Sequence, residues 1–488
     1  MTMETSVDLD RARIDPGWAL RIPVSLALRK RVLPFAAIGG EVCVACVDPA
    51  DTVSIAAVER FTGLPARTVV VDAEMLGRAL SRVYGDGRSA SASSDSADAD
   101  DATRLADELM RSAIMRRASD LHLDPGRDDI RVRLRVDGVL EELRRIPISA
   151  HAALTSRIKV LAGMDIAERR APQDGAFIHS WQMGEKTHTV DVRVASLPTK
   201  HGERMTLRLL ASKDDWLSLE QLGMCAADLH AFESALARPH GLVLLTGPTG
   251  GGKTTTLYAA VRKLLASRPL NVISVEDPIE CEIPGMAQVE VDSADKVSFG
   301  KALRSLLRHD PDVLVIGEIR DLESLDVAVK ASLTGHLVFS TLHTNHAVSA
   351  ITRLTDMGMP AHLVAATLRL CIGQRLVRKL CPSCRRPAEA PRDLVASMGV
   401  DFDPRSTVYE PGECFHCAGR GYEGRMGLFE CASIDEETAD LISRSAPEAV
   451  IARSLADKGF RTLQQDGITK VLEGGTTLRE VFAATTGF

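Results

Sequence analysis

Residues Gly247-Pro-Thr-Gly-Gly-Gly-Lys-Thr254 fit the pattern G-x-x-x-x-G-K-[ST] at every position. The pattern has physical meaning only where a buried strand leads in and a helix leads out. Both are predicted here. Residues 242–246 form a short apolar run, and after Thr254 apolar residues recur at helical spacing at Leu257, Val261, Leu264 and Leu265. Glycines at 247, 250, 251 and 252 let the backbone curl and turn its N–H groups inward, toward phosphate oxygens. The start of the following helix adds the positive end of its dipole. Lys253 supplies a point charge for the β- and γ-phosphates, and Thr254 supplies a hydroxyl for Mg²⁺. The expected nucleotide-binding set is Gly247, Pro248, Thr249, Gly250, Gly251, Gly252, Lys253, Thr254 and Thr255.

Three further short apolar runs, 272–275, 313–316 and 337–341, have the character of buried strands. Alternating with helical stretches, they predict a mostly parallel sheet covered on both faces. Such sheets take ligands at the carboxyl ends of their strands. Glu276 and Asp277 fall at one such end, where Pro278 stops the strand. Glu318 follows 313–316 after a single glycine, placed to orient an attacking water or to reach a metal through water. Arg320 is within reach of that carboxylate or of phosphate. His336 and His343 bracket 337–341, and an imidazole in that setting can sense a γ-phosphate by hydrogen bond. The plainer alternatives are a solvated loop for Glu276 and Asp277 and structural histidines for the pair.

The chain is long enough, at 488 residues, for about three domains. The segment 85–101, GDGRSASASSDSADADD, has no large apolar residue and is predicted to be a flexible linker. A small α/β domain is expected before it, over 1–84, with strands near 33–38 and 41–47 and helices near 54–62 and 73–84. A mixed α/β domain is expected over 102–212 and the phosphate-binding domain over 213–488, with a Cys-rich insert at 381–430 and a helical tail. A net charge of −7 and 4% aromatic residues argue against a protein built to grip nucleic acid. No apolar run approaches the ~18–20 residues of a membrane span, and 1–13 does not resemble a signal peptide. A cytosolic protein is expected, one that meets a membrane only through a partner.

Of the ten cysteines, Cys43 and Cys46 sit in a strand-like run and are expected to be buried small apolar residues. Cys381/Cys384 and Cys414/Cys417 form two Cys-x-x-Cys pairs flanked by glycines. Four thiolates from two such turns suit a closed, structural Zn²⁺ site. The long intervening loop is tolerable because closure entropy grows only slowly with length.

Together these segments resemble the ATPases of bacterial type II secretion and type IV pili. The phosphate loop (Walker A), the acidic run 273–280, the Walker B run Leu307-Arg-His-Asp-Pro-Asp-Val-Leu-Val-Ile-Gly-Glu-Ile-Arg-Asp321 and the histidine run 334–345 occur in that family's order. Upstream, 118–125, 168–175 and 202–210 resemble the domain that precedes the family's motor. The resemblance implies a RecA-like P-loop motor, a PAS-like mixed α/β domain before it, a small N-terminal α/β domain and a four-cysteine zinc knuckle. It also implies a cytoplasmic, usually hexameric ATPase whose N-terminal domain docks on an inner-membrane partner. ATP is the implied nucleotide. Glu318 is the implied catalytic carboxylate, with Glu276 and Asp277 placing water and metal, and Arg193 and Arg208 are lent by the preceding domain. Features of the motor lean toward type II secretion. Pilus extension and a nucleotide-gated scaffold that does not hydrolyse ATP are the alternatives. The arginine–leucine–glycine motif that binds cyclic di-guanylate in some relatives is absent from residues 1–50, so no such ligand is expected.

Overall fold

A computed structural model describes residues 7–10, 12–84, 97–183, 186–210, 216–291, 299–398, 402–403 and 405–486. It divides into two compact units. One holds residues 1–212 together with 380–386 and 410–424; the other holds 213–379, 387–409 and 425–488. Among the described residues no helix is long and apolar enough to cross a membrane.

The first unit contains two sheets. Near the N-terminus β1 (Val32–Ile38), β2 (Glu41–Cys46) and β3 (Ala66–Val70) lie in that order, β1 antiparallel to β2 and β2 parallel to β3. Gly39 and Gly40 close the β1–β2 hairpin, and both have positive φ, as the tight two-residue turn demands. Cys43 and Cys46 are buried within this small core. The second sheet is antiparallel and six-stranded: β4 (Ala118–Pro125), β5 (Asp129–Val136), β6 (Val139–Pro147), β7 (Gln173–Met183), β8 (Lys186–Thr199) and β9 (Gly202–Leu209), in the order β6-β5-β4-β9-β8-β7. Helices Ala97–Met115 and His151–Leu161 pack their apolar stripes over one face, around Leu109, Leu121, Ile130, Leu154 and Val192. Of the expected linker 85–101, residues 85–96 lie outside the described residues. From Ala97 the chain is already helical, because an alanine- and aspartate-rich run suits a first helical turn as well as it suits a tether.

The second unit is built on a seven-stranded sheet. Its strands are β10 (Gly241–Thr246), β11 (Val272–Glu276), β12 (Met286–Glu290), β13 (Val313–Ile316), β14 (Leu337–Leu342), β15 (Leu368–Leu380) and β18 (Tyr422–Ser433), ordered β12-β11-β13-β14-β10-β15-β18. A separate two-stranded ribbon joins β16 (Arg386–Glu389) and β17 (Thr407–Glu410). The pairings from β12 through β15 are parallel. Every residue of β10, β11, β13 and β14 is buried, since one hydrophobic core fills each face of the sheet. This is the doubly covered parallel sheet expected from the apolar runs.

A buried charge network ties the helix Leu463–Leu472 to β18. Lys470 Nζ donates to Gly427 O at 2.7 Å and to Asp466 Oδ2 at 2.5 Å, while Phe429 N donates to the same carboxylate at 2.9 Å. The side chains of Lys470 and Asp466 are 7% and 2% exposed. Removing one partner strands a buried charge, so Lys470→Met should destabilise the unit by about 3–5 kcal/mol. A thermal or denaturant transition reads this directly, and a variant unfolding with the parent would contradict it.

Candidate functional site

The loop after β10 leads straight into helix Lys253–Ser267. Gly247 and Gly252 have φ of 149° and 84°, and a side chain at either would collide with Gln374, through its backbone O in the first case and its Nε2 in the second. Glycine is thus required both by conformation and by the close approach of β15. Lys253 is 8% exposed and folds back on the loop, with Nζ donating to Gly247 O at 2.7 Å and Pro248 O at 3.0 Å. Burial lowers its pKa, an effect opposed by the charge of Glu318. Thr254 is half-buried at the helix start and Thr255 is exposed.

Carboxylates gather at the same end of the sheet. Glu318, just past β13, accepts from His343 Nε2 at 2.9 Å on one oxygen and from Arg320 Nε on the other. Arg320 also lies 3.2 Å from Asp277. Burial pushes the Glu318 pKa up, but the hydrogen bonds from His343 and Arg320 outweigh it and hold the group below the ordinary carboxylate value. Glu276 is buried at the end of β11 and accepts three hydrogen bonds, from Tyr258 OH (2.5 Å), Ser274 Oγ (2.7 Å) and Gln288 Nε2 (3.0 Å). Thr246 Oγ1 meets Thr344 Oγ1 at 2.6 Å and accepts from Thr344 N at 3.0 Å, which joins the base of the phosphate loop to the turn carrying His343.

The structure therefore brings together the phosphate loop, Lys253, Glu318, Glu276, Asp277 and His343. It does not bring His336. That residue precedes β14 while His343 follows it, so the length of the strand, about 20 Å at ~3.3 Å per residue, separates the two. His336 instead contacts Ala331 O at 2.9 Å and Thr334 Oγ1 at 3.2 Å. Arg193 and Arg208 lie in the first unit, opposite each other on β8 and β9.

Sequence reasoning missed Gln374 and Arg375, which β15 carries beneath and beside the loop. It also missed a cavity of about 440 Å³ outside the loop, lined by Pro248, Thr249, His346, Arg375 and the C-terminal Ala483 and Thr486. Gln374 and Arg375 have no local signal, because β15 reaches the loop through pairing with β10 across more than a hundred residues, and the cavity has none because its walls come from distant segments of the chain.

The four cysteines form a compact cluster with every Sγ within 4.8 Å of the others. The pairs Cys381/Cys414, Cys384/Cys417 and Cys414/Cys417 are each 3.7 Å apart. Thiolates held about 2.3 Å from a central Zn²⁺ in a tetrahedron stand about 3.8 Å apart, so the donor set and its spacing fit zinc. Gly421 N donates to Cys417 Sγ at 3.2 Å, support suited to a thiolate. The knuckle packs within the first unit: Phe415 meets Phe35 with ring centroids 5.5 Å apart, Gly39 N donates to Glu413 Oε2 at 2.8 Å, and Arg420 pairs with Glu141 at 3.0 Å.

A family model described as Type II/IV secretion system protein matches residues 95–483, and one for the MshEN domain matches residues 3–90. Type II secretion system protein E of Aeromonas hydrophila is 44% identical over 396 residues, covering 80% of this chain and 78% of that protein. The protein of the same name from Pseudomonas aeruginosa is 39% identical, covering 95% of this chain and 96% of its own length. The type IV pilus assembly ATPase PilB of Myxococcus xanthus is 37% identical, covering 98% and 88%. Among solved structures, the Legionella pneumophila ATPase DotB aligns with a TM-score of 0.58 at 21% identity, over 79% of this chain and 96% of that one, a likeness of fold.

Proposed function

The chain belongs to the type II/IV secretion system protein family, and on that premise we propose that it is a cytoplasmic ATPase whose hydrolysis cycle drives pseudopilus assembly and type II secretion. The observation that carries this is the convergence of a complete phosphate loop and an ionised, hydrogen-bonded Glu318 at one end of one sheet. Over nearly the whole chain the protein E and PilB relatives are 39% and 37% identical, and the protein E relative that matches 80% of the chain reaches 44%; we take secretion as the leading reading and keep pilus extension as its alternative.

In this reading Lys253 exchanges its two carbonyl partners for phosphate oxygens, and the loop amides turn to the β-phosphate. Glu318 accepts the proton of, or orients, the attacking water, while His343 and Arg320 fix its two oxygens until substrate arrives. Glu276, with three donors already placed, keeps Tyr258 and the β11 terminus rigid beside Asp277. Mg²⁺, when bound through Thr254, neutralises charge on the β- and γ-phosphates. Arg193 and Arg208 add cationic forks to the phosphoryl group when domain closure or ring assembly delivers them. Cys381, Cys384, Cys414 and Cys417 hold a structural Zn²⁺. A hexamer is the working assembly, and the N-terminal domain is the docking module for an inner-membrane partner.

Phosphate release by the assembled protein tests the reading. Lys253→Ala should lower turnover by at least about 100-fold. Unchanged turnover would remove the motor assignment, and a parent that binds ATP without releasing phosphate would leave the scaffold alternative.

A further inference from the structure

Four neighbouring strands of the first unit carry four charged residues in one transverse row. Arg135 on β5 is in register with Asp120 on β4, Asp120 with Arg208 on β9, and Arg208 with Arg193 on β8. Residues in register share a sheet face, so one carboxylate stands among three guanidiniums. Asp120 Oδ1 accepts from Arg208 Nε at 3.0 Å. Its other oxygen accepts from Ser119 Oγ at 2.8 Å and lies 3.8 Å from Arg135 Nε. The two partners differ in freedom: the Asp120 side chain is 9% exposed and that of Arg208 is 63% exposed. A buried, doubly held anion therefore grips a projecting cation by its Nε.

We propose that Asp120 is a positioning residue for phosphoryl transfer, fixing the Arg208 guanidinium so that its Nη edge is presented to a phosphoryl group. The inference rests on the reading of Arg208 as an arginine that meets the nucleotide. An arginine on a flexible stem loses side-chain entropy when it docks on phosphate. Asp120 imposes that loss in advance, within a row whose like charges would otherwise push adjacent strands' side chains apart. Its effect belongs in the chemical step, where a small misplacement of a charged group is costly, rather than in ATP affinity.

The test is a double-mutant cycle on the assembled full-length protein, reading kcat and KM for ATP. Arg208→Ala should lower kcat by about 10³-fold. Asp120→Asn should lower kcat about tenfold with KM within about twofold, and Asp120→Glu should fall between Asn and the parent. The double variant Asp120→Asn/Arg208→Ala should be no slower than Arg208→Ala alone. Losses that multiply in the double variant, or a parental kcat in Asp120→Asn, would overturn the proposal. A parental kcat in Arg208→Ala would instead remove the reading of that arginine, and the proposal with it. If the Asn variant fails to fold, Asp120→Glu forms the cycle in its place, and multiplicative losses there overturn the proposal equally.

Discussion

Glu318→Gln is expected to lower ATP turnover by about 10³-fold while nucleotide binding stays within about threefold. Glutamine keeps the size of the side chain and a carbonyl able to accept from Arg320 or His343, so the local packing survives. What disappears is the charge. His343 and Arg320 together overcome the cost of burying Glu318 and keep it ionised, and an uncharged amide can neither accept a proton from water nor satisfy both of those donors. Phosphate release and equilibrium binding of a fluorescent ATP analogue, measured on the same preparation, separate the two effects. Turnover within tenfold of the parent would show that another group activates the water.

Cys417→Ser is expected to reduce bound zinc from one ion per chain to nearly none and to unfold the knuckle. Structural zinc sites of this class contribute about 10–16 kcal/mol of apparent binding free energy in small peptides, more than any single packing contact in the insert can offset. Cys417 is fully buried and its Sγ accepts from Gly421 N. Without the ion, the turn that carries Phe415 onto Phe35 loses its strongest anchor. Metal analysis, thiol titration and limited proteolysis give three readouts independent of ATP turnover. Four freely reactive thiols and no zinc in the parent protein would contradict the assignment.

The end of the sheet that carries the candidate site was legible because its strands are short, apolar and buried on both sides. Residues 313–316 and 337–341 could hardly be anything else. The edges were not. β6, Val-Leu-Glu-Glu-Leu-Arg-Arg-Ile-Pro, is mostly exposed, and the charges that protect a free edge from aberrant pairing also erase the alternation by which a strand is recognised. β7 is the other edge of the six-stranded sheet and pairs on one side only; its half-buried positions include glycine and polar residues, which blurs the apolar alternation. In the site, Lys253 and Glu318 were readable from local pattern, whereas the separation of His336 from His343 required knowing that the whole of β14 lies between them. The partnership of Asp120 with Arg208 required the strand register across 88 residues.

The chain changes from one unit to the other after residues 212, 379, 386, 409 and 424. Recombination with a single crossover near 212 would thus deliver a foreign Phe415 to the native Phe35, or the reverse. That aromatic pair, worth about 0.5–1.5 kcal/mol, is a contact a chimera would have to re-match, because its two rings come from opposite sides of such a crossover.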